Sequence, residues 1–304
     1  MEVNNMKLIK IVTSITLLLG LTVFGQKSST SRASEYPIAF GSNGICITNL
    51  DGTSTVRLTN GDHGYPAWSP DGKKIAFYSY HDGKKTWSIH TVNIDGTNRK
   101  RLTHAKNKWD STPSWSADGK KILFAREYKD PEGIWQYEIW IMNSDGSGEK
   151  QIKPLVGGNC SFTPDGRIVY SAEFRDKKSE IYIADVDGKN ITALTNNGTN
   201  AWHPKISPDG KHIAFSSDRS GDREIYVMNI DGSNQKRLTN SIGSDGGPSW
   251  SPDSSQIMFQ SKREKDENGE RRSNLYIINK DGSSLRKITS QGGWQVAWFK
   301  TTKY

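Results

Sequence analysis

One phrase recurs along this chain and constrains its fold more than any other feature. Pro66-Ala67-Trp68-Ser69-Pro70-Asp71-Gly72 returns as Pro113-Ser114-Trp115-Ser116-Ala117-Asp118-Gly119 and as Pro204-Lys205-Ile206-Ser207-Pro208-Asp209-Gly210. Shorter copies stand at Ser161-Phe162-Thr163-Pro164-Asp165-Gly166 and Pro248-Ser249-Trp250-Ser251-Pro252-Asp253, with a degenerate one at Val296-Ala297-Trp298-Phe299. A spacing of roughly 44–47 residues is that of propeller blades, in which one small sheet per repeat buries its faces only against its neighbours.

The residues of each repeat dictate four short strands. Ser69-Pro70-Asp71-Gly72 is a tight turn: Pro presets φ at the first corner, Asp bonds nearby backbone, and Gly accepts a positive φ. It joins a first strand, Ala67-Trp68-Ser69, to a second, Lys74-Ile75-Ala76-Phe77. A third strand is clearest as Glu224-Ile225-Tyr226-Val227-Met228-Asn229, rich in β-branched and aromatic residues. A second turn follows at Asp51-Gly52, Asp95-Gly96, Asp145-Gly146, Asp187-Gly188, Asp231-Gly232 and Asp281-Gly282, a dipeptide that strongly favours hairpins. The fourth strand ends in Arg57-Leu58-Thr59 or its equivalents. The pattern predicts an all-β fold, a six-bladed β-propeller of four-stranded antiparallel blades. The first repeat opens on a second strand, Tyr36-Pro37-Ile38-Ala39-Phe40, while Gln295-Val296-Ala297-Trp298-Phe299 is left over at the far end. The C-terminal strand is therefore expected to pair into the first blade and close the ring.

Three segments follow. Residues 1–25 read as a signal peptide, because Lys7 and Lys10 precede a fifteen-residue apolar stretch, Ile11 to Gly25, that is short for a membrane span. Residues 26–35 read as a polar, unstructured linker, and 36–304 as the propeller domain. A periplasmic or secreted chain without a transmembrane span in its mature form is the expectation. Twenty-nine Gly, ten Trp and eleven Tyr suit short strands and tight turns. The bulky residues of the first strands (Trp68, Trp115, Phe162, Ile206, Trp250, Trp298) are expected to fill the space between blades.

The two cysteines, Cys46 and Cys160, belong to opposite repeats and read as buried small hydrophobes rather than a disulfide. A net charge of +8 points weakly towards acidic partners. Acidic residues interleave with the basic ones, and with export this argues against nucleic acid. The six histidines show no close-spaced ligand pair, and the Asp-Gly turns lack the spacing of a calcium loop, so neither metal nor cofactor is expected.

The combination Pro-x-Trp-Ser-Pro-Asp-Gly-Lys-x-Ile-x-Phe, then Ser216-Ser217-Asp218-Arg219-Ser220-Gly221-Asp222-Arg223-Glu224-Ile225-Tyr226-Val227-Met228-Asn229, then Arg237-Leu238-Thr239, resembles the TolB-type propeller repeat over residues 36–299. The resemblance implies a scaffold that works by contact with other proteins, though related blades also occur in peptidases and oligosaccharide lyases. No room is seen before Tyr36 for the α/β domain that precedes the propeller in TolB itself. No Gly-x-Ser-x-Gly nucleophile elbow appears, which sets a serine peptidase aside.

Candidate site residues lie where the repeat breaks its own rule. The position before the repeated Pro is Tyr65, Thr112, Asn159, His203, Gly247 and Gln295, irregular in a regular chain. Together with Trp109, Asp110, Trp202 and Trp294 this ring is expected at the channel mouth, on the face that carries the variable segments 78–87, 125–137, 171–179, 216–223 and 260–273. The expectation is a non-enzymatic, monomeric module of the cell envelope that binds an envelope or periplasmic protein, or an anionic glycan. The alternative is a lyase acting on anionic oligosaccharides. It would use His203, His63 and Tyr65 as acid–base groups, with Arg126, Arg175 or Arg219 holding a carboxylate.

Overall fold

The computed structural model describes residues 29–81, 86–172, 178–289 and 292–299; the expected signal peptide and Arg175 lie outside them. A short helix, α1 (Ser29–Glu35), stands where an unstructured linker was expected. Its one apolar residue, Ala33, is fully buried beside Trp68 and Phe299, which gives this polar segment a reason to order.

All other elements among the described residues are strands. The first repeat gives β1 (Ile38–Gly41), β2 (Ile45–Thr48) and β3 (Thr55–Arg57). The second and third give β4 (His63–Trp68), β5 (Lys74–His81), β6 (Thr86–Asn93), β7 (Lys100–Arg101), β8 (Trp109–Trp115), β9 (Lys121–Lys129), β10 (Trp135–Asn143) and β11 (Lys150–Val156). The fourth gives β12 (Gly158–Phe162), β13 (Ile168–Ala172), β14 (Glu180–Ala184) and β15 (Thr192–Ala193). Then come β16 (Ala201–Ile206), β17 (His212–Ser217), β18 (Glu224–Asn229), β19 (Lys236–Arg237), β20 (Asp245–Trp250), β21 (Gln256–Ser261), β22 (Asn274–Asn279), β23 (Arg286–Lys287) and β24 (Trp294–Trp298).

The fold is an all-β propeller, but the expectation of six uniform four-stranded blades is corrected. Among the described residues, hydrogen bonding defines four four-stranded sheets (β24-β1-β2-β3, β12 to β15, β16 to β19, β20 to β23) and one eight-stranded sheet that holds β4 to β11. The reason is local. Among the described residues the hairpins β5–β6 and β9–β10 are the longest, and the first carries β6 far enough for Trp87 to form a parallel bridge with Trp109 of β8. Nor does any sheet among the described residues close on itself through hydrogen bonds. β24 lies antiparallel beside β1 and leaves that sheet with two edges, β24 and β3. The ring is held by packing: β4, β8, β12, β16, β20 and β24 touch one another in sequence, and β24 touches β4.

The repeated motif is accounted for bond by bond. Ser69 Oγ donates to Asp71 Oδ1 at 2.7 Å and accepts the Lys74 N–H at 2.9 Å, knitting the turn from both sides. The second turn is tied alike, with the Thr97 N–H on Asp95 Oδ1 at 2.9 Å. The closing Thr reaches back to the third strand: Ile45 N–H donates to Thr59 Oγ1 at 2.8 Å, Ile225 N–H to Thr239 at 2.9 Å and Leu275 N–H to Thr289 at 3.0 Å. Both faces of the middle strands are buried, and the apolar clusters each join one repeat to the next. Burial of that area, at about 25 cal/mol per Å², is the main force holding neighbours together. Trp68, Ile206, Trp250 and Trp298 are buried as expected of inter-blade residues, while Trp115 and Phe162 are half-buried. Cys46 and Cys160 are free, buried and in different clusters.

Candidate functional site

The six irregular positions share one backbone feature. Tyr65, Thr112, Asn159, His203, Gly247 and Gln295 all adopt left-handed backbone, with φ between 49° and 61°. In each innermost strand the ladder register shifts around that residue, as between Gly64 and Ala67 or between Trp202 and Lys205. The following Pro66, Pro113, Pro204 and Pro248 have no N–H for the ladder, and a bulge is where a sheet tolerates that loss. Thr112 at φ 50° is notable, since a β-branched residue is strained there, and such strain gathers at functional sites.

The bulges bring Tyr65 and His203 together across the axis. Tyr65 Oη lies 3.0 Å from His203 Nε2, and the two rings stack with centroids 6.1 Å apart at 22°. Burial pushes Tyr65 up to about 12, so the phenol keeps its proton and serves as donor. Burial, and then the positive charges of Arg223 and Lys205, push His203 down to about 3, so the imidazole is neutral. With Nε2 accepting, the ring proton sits on Nδ1, which has no hydrogen-bond partner among the described residues. Gln295 secures the neighbouring backbone: its Oε1 accepts the Tyr65 N–H at 2.8 Å, and Gln260 Oε1 accepts the Gln295 N–H at 2.8 Å. Gly64 makes room for this, because a Cβ there would stand 2.1 Å from Gln295 Oε1.

Two cavities lie on either side of this bar. The one on the variable-loop face, about 400 Å³, is lined by Tyr65, Tyr78, Trp87, Thr112, Glu127, Tyr137, Asn159, Trp202 and Gln295. Burial raises the Glu127 carboxyl above its usual range. Arg223 lies over the Trp202 ring at 4.7 Å. The cavity on the turn face, about 410 Å³, is lined by the repeated Pro and Trp positions and by Lys205.

The remaining candidates are placed elsewhere. Asp110 is buried in an ion pair with Arg126 (2.6 Å), whose guanidinium also reaches Glu149 at 2.9 Å and stacks over Trp140 at 4.4 Å. Trp109 packs on Trp135 with centroids 5.1 Å apart. Trp294 fills the space beside Gly41 and joins the cluster around Tyr78 and Ile89. His63 does not meet His203: its Nε2 binds the Asn60 carbonyl at 2.6 Å and its ring edges onto Phe77. Arg219 is engaged by Gln235 and Ser217 and stacks on Tyr226. Among the described residues no group of three or more His, Cys, Asp or Glu side chains converges as a metal site.

Sequence reasoning missed Glu127 and Lys205. Glu127 follows Phe124-Ala125-Arg126 near the end of an apolar strand, where adjacent charges are unusual. Lys205 takes a position that is Ala67, Ser114, Ser161, Ser249 and Ala297 in the other repeats, a contrast visible once the copies are aligned.

Comparison with known proteins bears on this architecture. The model of the TolB beta propeller domain matches residues 38–169 and 127–301. The Tol-Pal system protein TolB of Bordetella pertussis is 32% identical over 126 residues, 40% of this chain and 27% of that protein. An uncharacterized protein of Agrobacterium fabrum is 27% identical over 177 residues, 52% of this chain and 55% of its own. The chain thus spans about half or less of the curated relatives it matches. TolB from Acinetobacter baumannii superposes with a TM-score of 0.73 at 25% identity, covering 86% of this chain and 66% of that one. The oligogalacturonate lyase of Vibrio parahaemolyticus gives 0.56 at 16% identity, covering 81% and 71%, a likeness of fold alone. No helix among the described residues is long and apolar enough to cross a membrane. With its repeated turns, its packed ring and a family match that runs from Ile38 to Thr301, this chain belongs to the TolB beta propeller domain family.

Proposed function

We propose that this chain is an exported, non-enzymatic binding module of the cell envelope, and that a protein partner seats in the recess on its variable-loop face. The observation that carries this reading is the recess itself, whose wall includes Tyr65, held in place by its contact with His203. An aromatic-lined hollow of about 400 Å³ suits a side chain presented by a partner. Glu127 is the charged residue on its wall, which favours a cationic side chain over an anionic glycan. The kinship with TolB, a Tol-Pal system protein in Bordetella, supports contact with proteins rather than turnover of a small molecule.

The lyase alternative is poorly served by the same geometry. A base must reach a proton next to a bound carboxylate, yet His203 is bonded to Tyr65 and His63 to Asn60. Arg126 and Arg219 are committed to protein partners.

The test has two parts. Polyuronates incubated with the chain should give no rise in the ultraviolet absorbance of an unsaturated product; a rise lost in His203→Ala would overturn the reading. Immobilised chain should capture a partner from envelope extract. With that partner purified, Trp202→Ala should weaken binding at least about tenfold, worth about 1.4 kcal/mol. Equal binding by the variant would move the interface away from the recess.

A further inference from the structure

The cavity on the turn face holds a feature that the proposed partner recess does not use. Five of the six equivalent positions on its wall carry Ala67, Ser114, Ser161, Ser249 and Ala297, and the sixth carries Lys205. The small residues have an evident role. Ser114 Oγ accepts the Phe162 N–H at 3.1 Å and Ser249 Oγ accepts the Trp298 N–H at 3.0 Å, so each ties one innermost strand to the next. Lys205 makes no such tie through its side chain. Its backbone is held in the ladder opposite Ala214, and its carbonyl accepts Trp250 Nε1 at 2.8 Å, which fixes the strand beneath it.

Among the described residues, Lys205 is also the sole charged residue lining this cavity of about 410 Å³. No carboxylate shares the wall, and no ion pair involves Lys205 among the described residues. Its surroundings depress its pKa, first through burial, and its charge is felt by both Cys160 and His203. The side chain is nonetheless only half-buried by surface exposure, because its remaining surface faces the cavity. A long cationic side chain placed where the fold calls for Ala or Ser costs desolvation and gains no internal partner. Around it stand Trp68, Trp250 and Trp298, with Pro66, Pro113 and Pro252.

We propose that the turn-face cavity is an anion site for a carboxylate carried on an apolar stem, with Lys205 as its charged contact and the tryptophan and proline edges receiving the stem. A carboxylate that enters pairs the half-buried ammonium, and the apolar body displaces water from indole edges. The same chemistry is offered by a small organic acid and by the C-terminus of a peptide. Nucleotides fit less well, because among the described residues the wall lacks a second cation to share a phosphate chain.

The experiment titrates the full chain with phenylacetate, with its neutral amide, and with acetyl-Gly-Gly-Phe in free-acid and amidated forms. Calorimetry and tryptophan fluorescence give affinity and stoichiometry. One saturable site is expected for phenylacetate or for the free-acid peptide, with the matching amide at least about tenfold weaker; which acid binds identifies the source. In Lys205→Met that preference for the acid should vanish, while the melting temperature stays at or above that of the parent. Lys205→Arg should keep it, and Trp202→Ala, in the other cavity, should leave it untouched. Absence of saturable binding by either acid, or an acid preference that survives Lys205→Met, overturns the proposal. Because Trp202 lies in the loop-face recess, failure here leaves the partner reading standing, and the converse also holds.

Discussion

Removal of Asp110 separates a strut from a ligand residue. The Asp110 carboxylate accepts Arg126 Nε at 2.6 Å and Nη2 at 2.8 Å, and the two side chains are 2% and 4% exposed. Breaking a buried pair from one side costs about 3–5 kcal/mol, because the surviving charge loses its counter-ion but stays desolvated. In Asp110→Ala the guanidinium keeps Glu149 at 2.9 Å, and that carboxylate is a quarter exposed, so the cost should fall at the low end, about 3 kcal/mol. For a domain of this size about 1 kcal/mol moves the melting temperature by roughly 2–4 °C, giving a fall of roughly 6–12 °C. Arg126→Met should cost more, since Asp110 is then left buried without its cation. The double variant should cost less than the sum of the two, a coupling readable from urea unfolding of all four proteins. A melting temperature for Asp110→Ala within about 2 °C of the parent would refute this reasoning; if partner binding were lost at the same time, Asp110 would be a ligand residue after all.

Four further outcomes are expected. The folded pKa of His203 is depressed to about 3 from an ordinary 6.5, so its contribution is present above 6.5 and is lost as pH falls towards 3; the melting temperature should drop over that window, and His203→Gln should flatten the drop. Tyr65→Phe removes the donor to His203 Nε2 and should cost about 1 kcal/mol, measured by urea unfolding, with a shift of the His203 ring signals in NMR spectra. Thr112→Gly relieves a strained φ of 50° and should raise stability by up to about 1 kcal/mol in the same assay; a loss would mean that the threonine side chain packs against something essential. Cys46 and Cys160 are buried and their thiols are raised by burial, so a thiol reagent should label the native chain far more slowly than the urea-unfolded one.

Much of the scaffold was legible because its bonds are local. Ser69, Asp71 and Lys74 lie within five residues of one another, and Thr59 meets Ile45 at a separation of fourteen, so a repeated sequence repeats the same bonds. The positions of the strands and the propeller class follow from that periodicity. Blade uniformity did not, because whether two neighbouring sheets share a hydrogen bond depends on how far β6 reaches towards β8, a matter of a single contact between Trp87 and Trp109. Of the candidate residues, the ring at Tyr65, Thr112, Asn159, His203, Gly247 and Gln295 was visible as an irregularity, but its left-handed backbone was not.

The chemistry of the channel was decided by the tertiary structure alone. Tyr65 and His203 are 138 residues apart and meet only because the ring places their strands opposite each other and the bulges turn both inward. Asp110 looked as available as His203 in the sequence, yet its neighbour across the ladder is Arg126, and pairing consumed it. The sequence by itself determined what each repeat does within its own hydrogen bonds. Which polar groups remain unpaired and face a cavity depends on charges and surfaces that distant repeats bring together, and only the closed packing of the ring sets those distances.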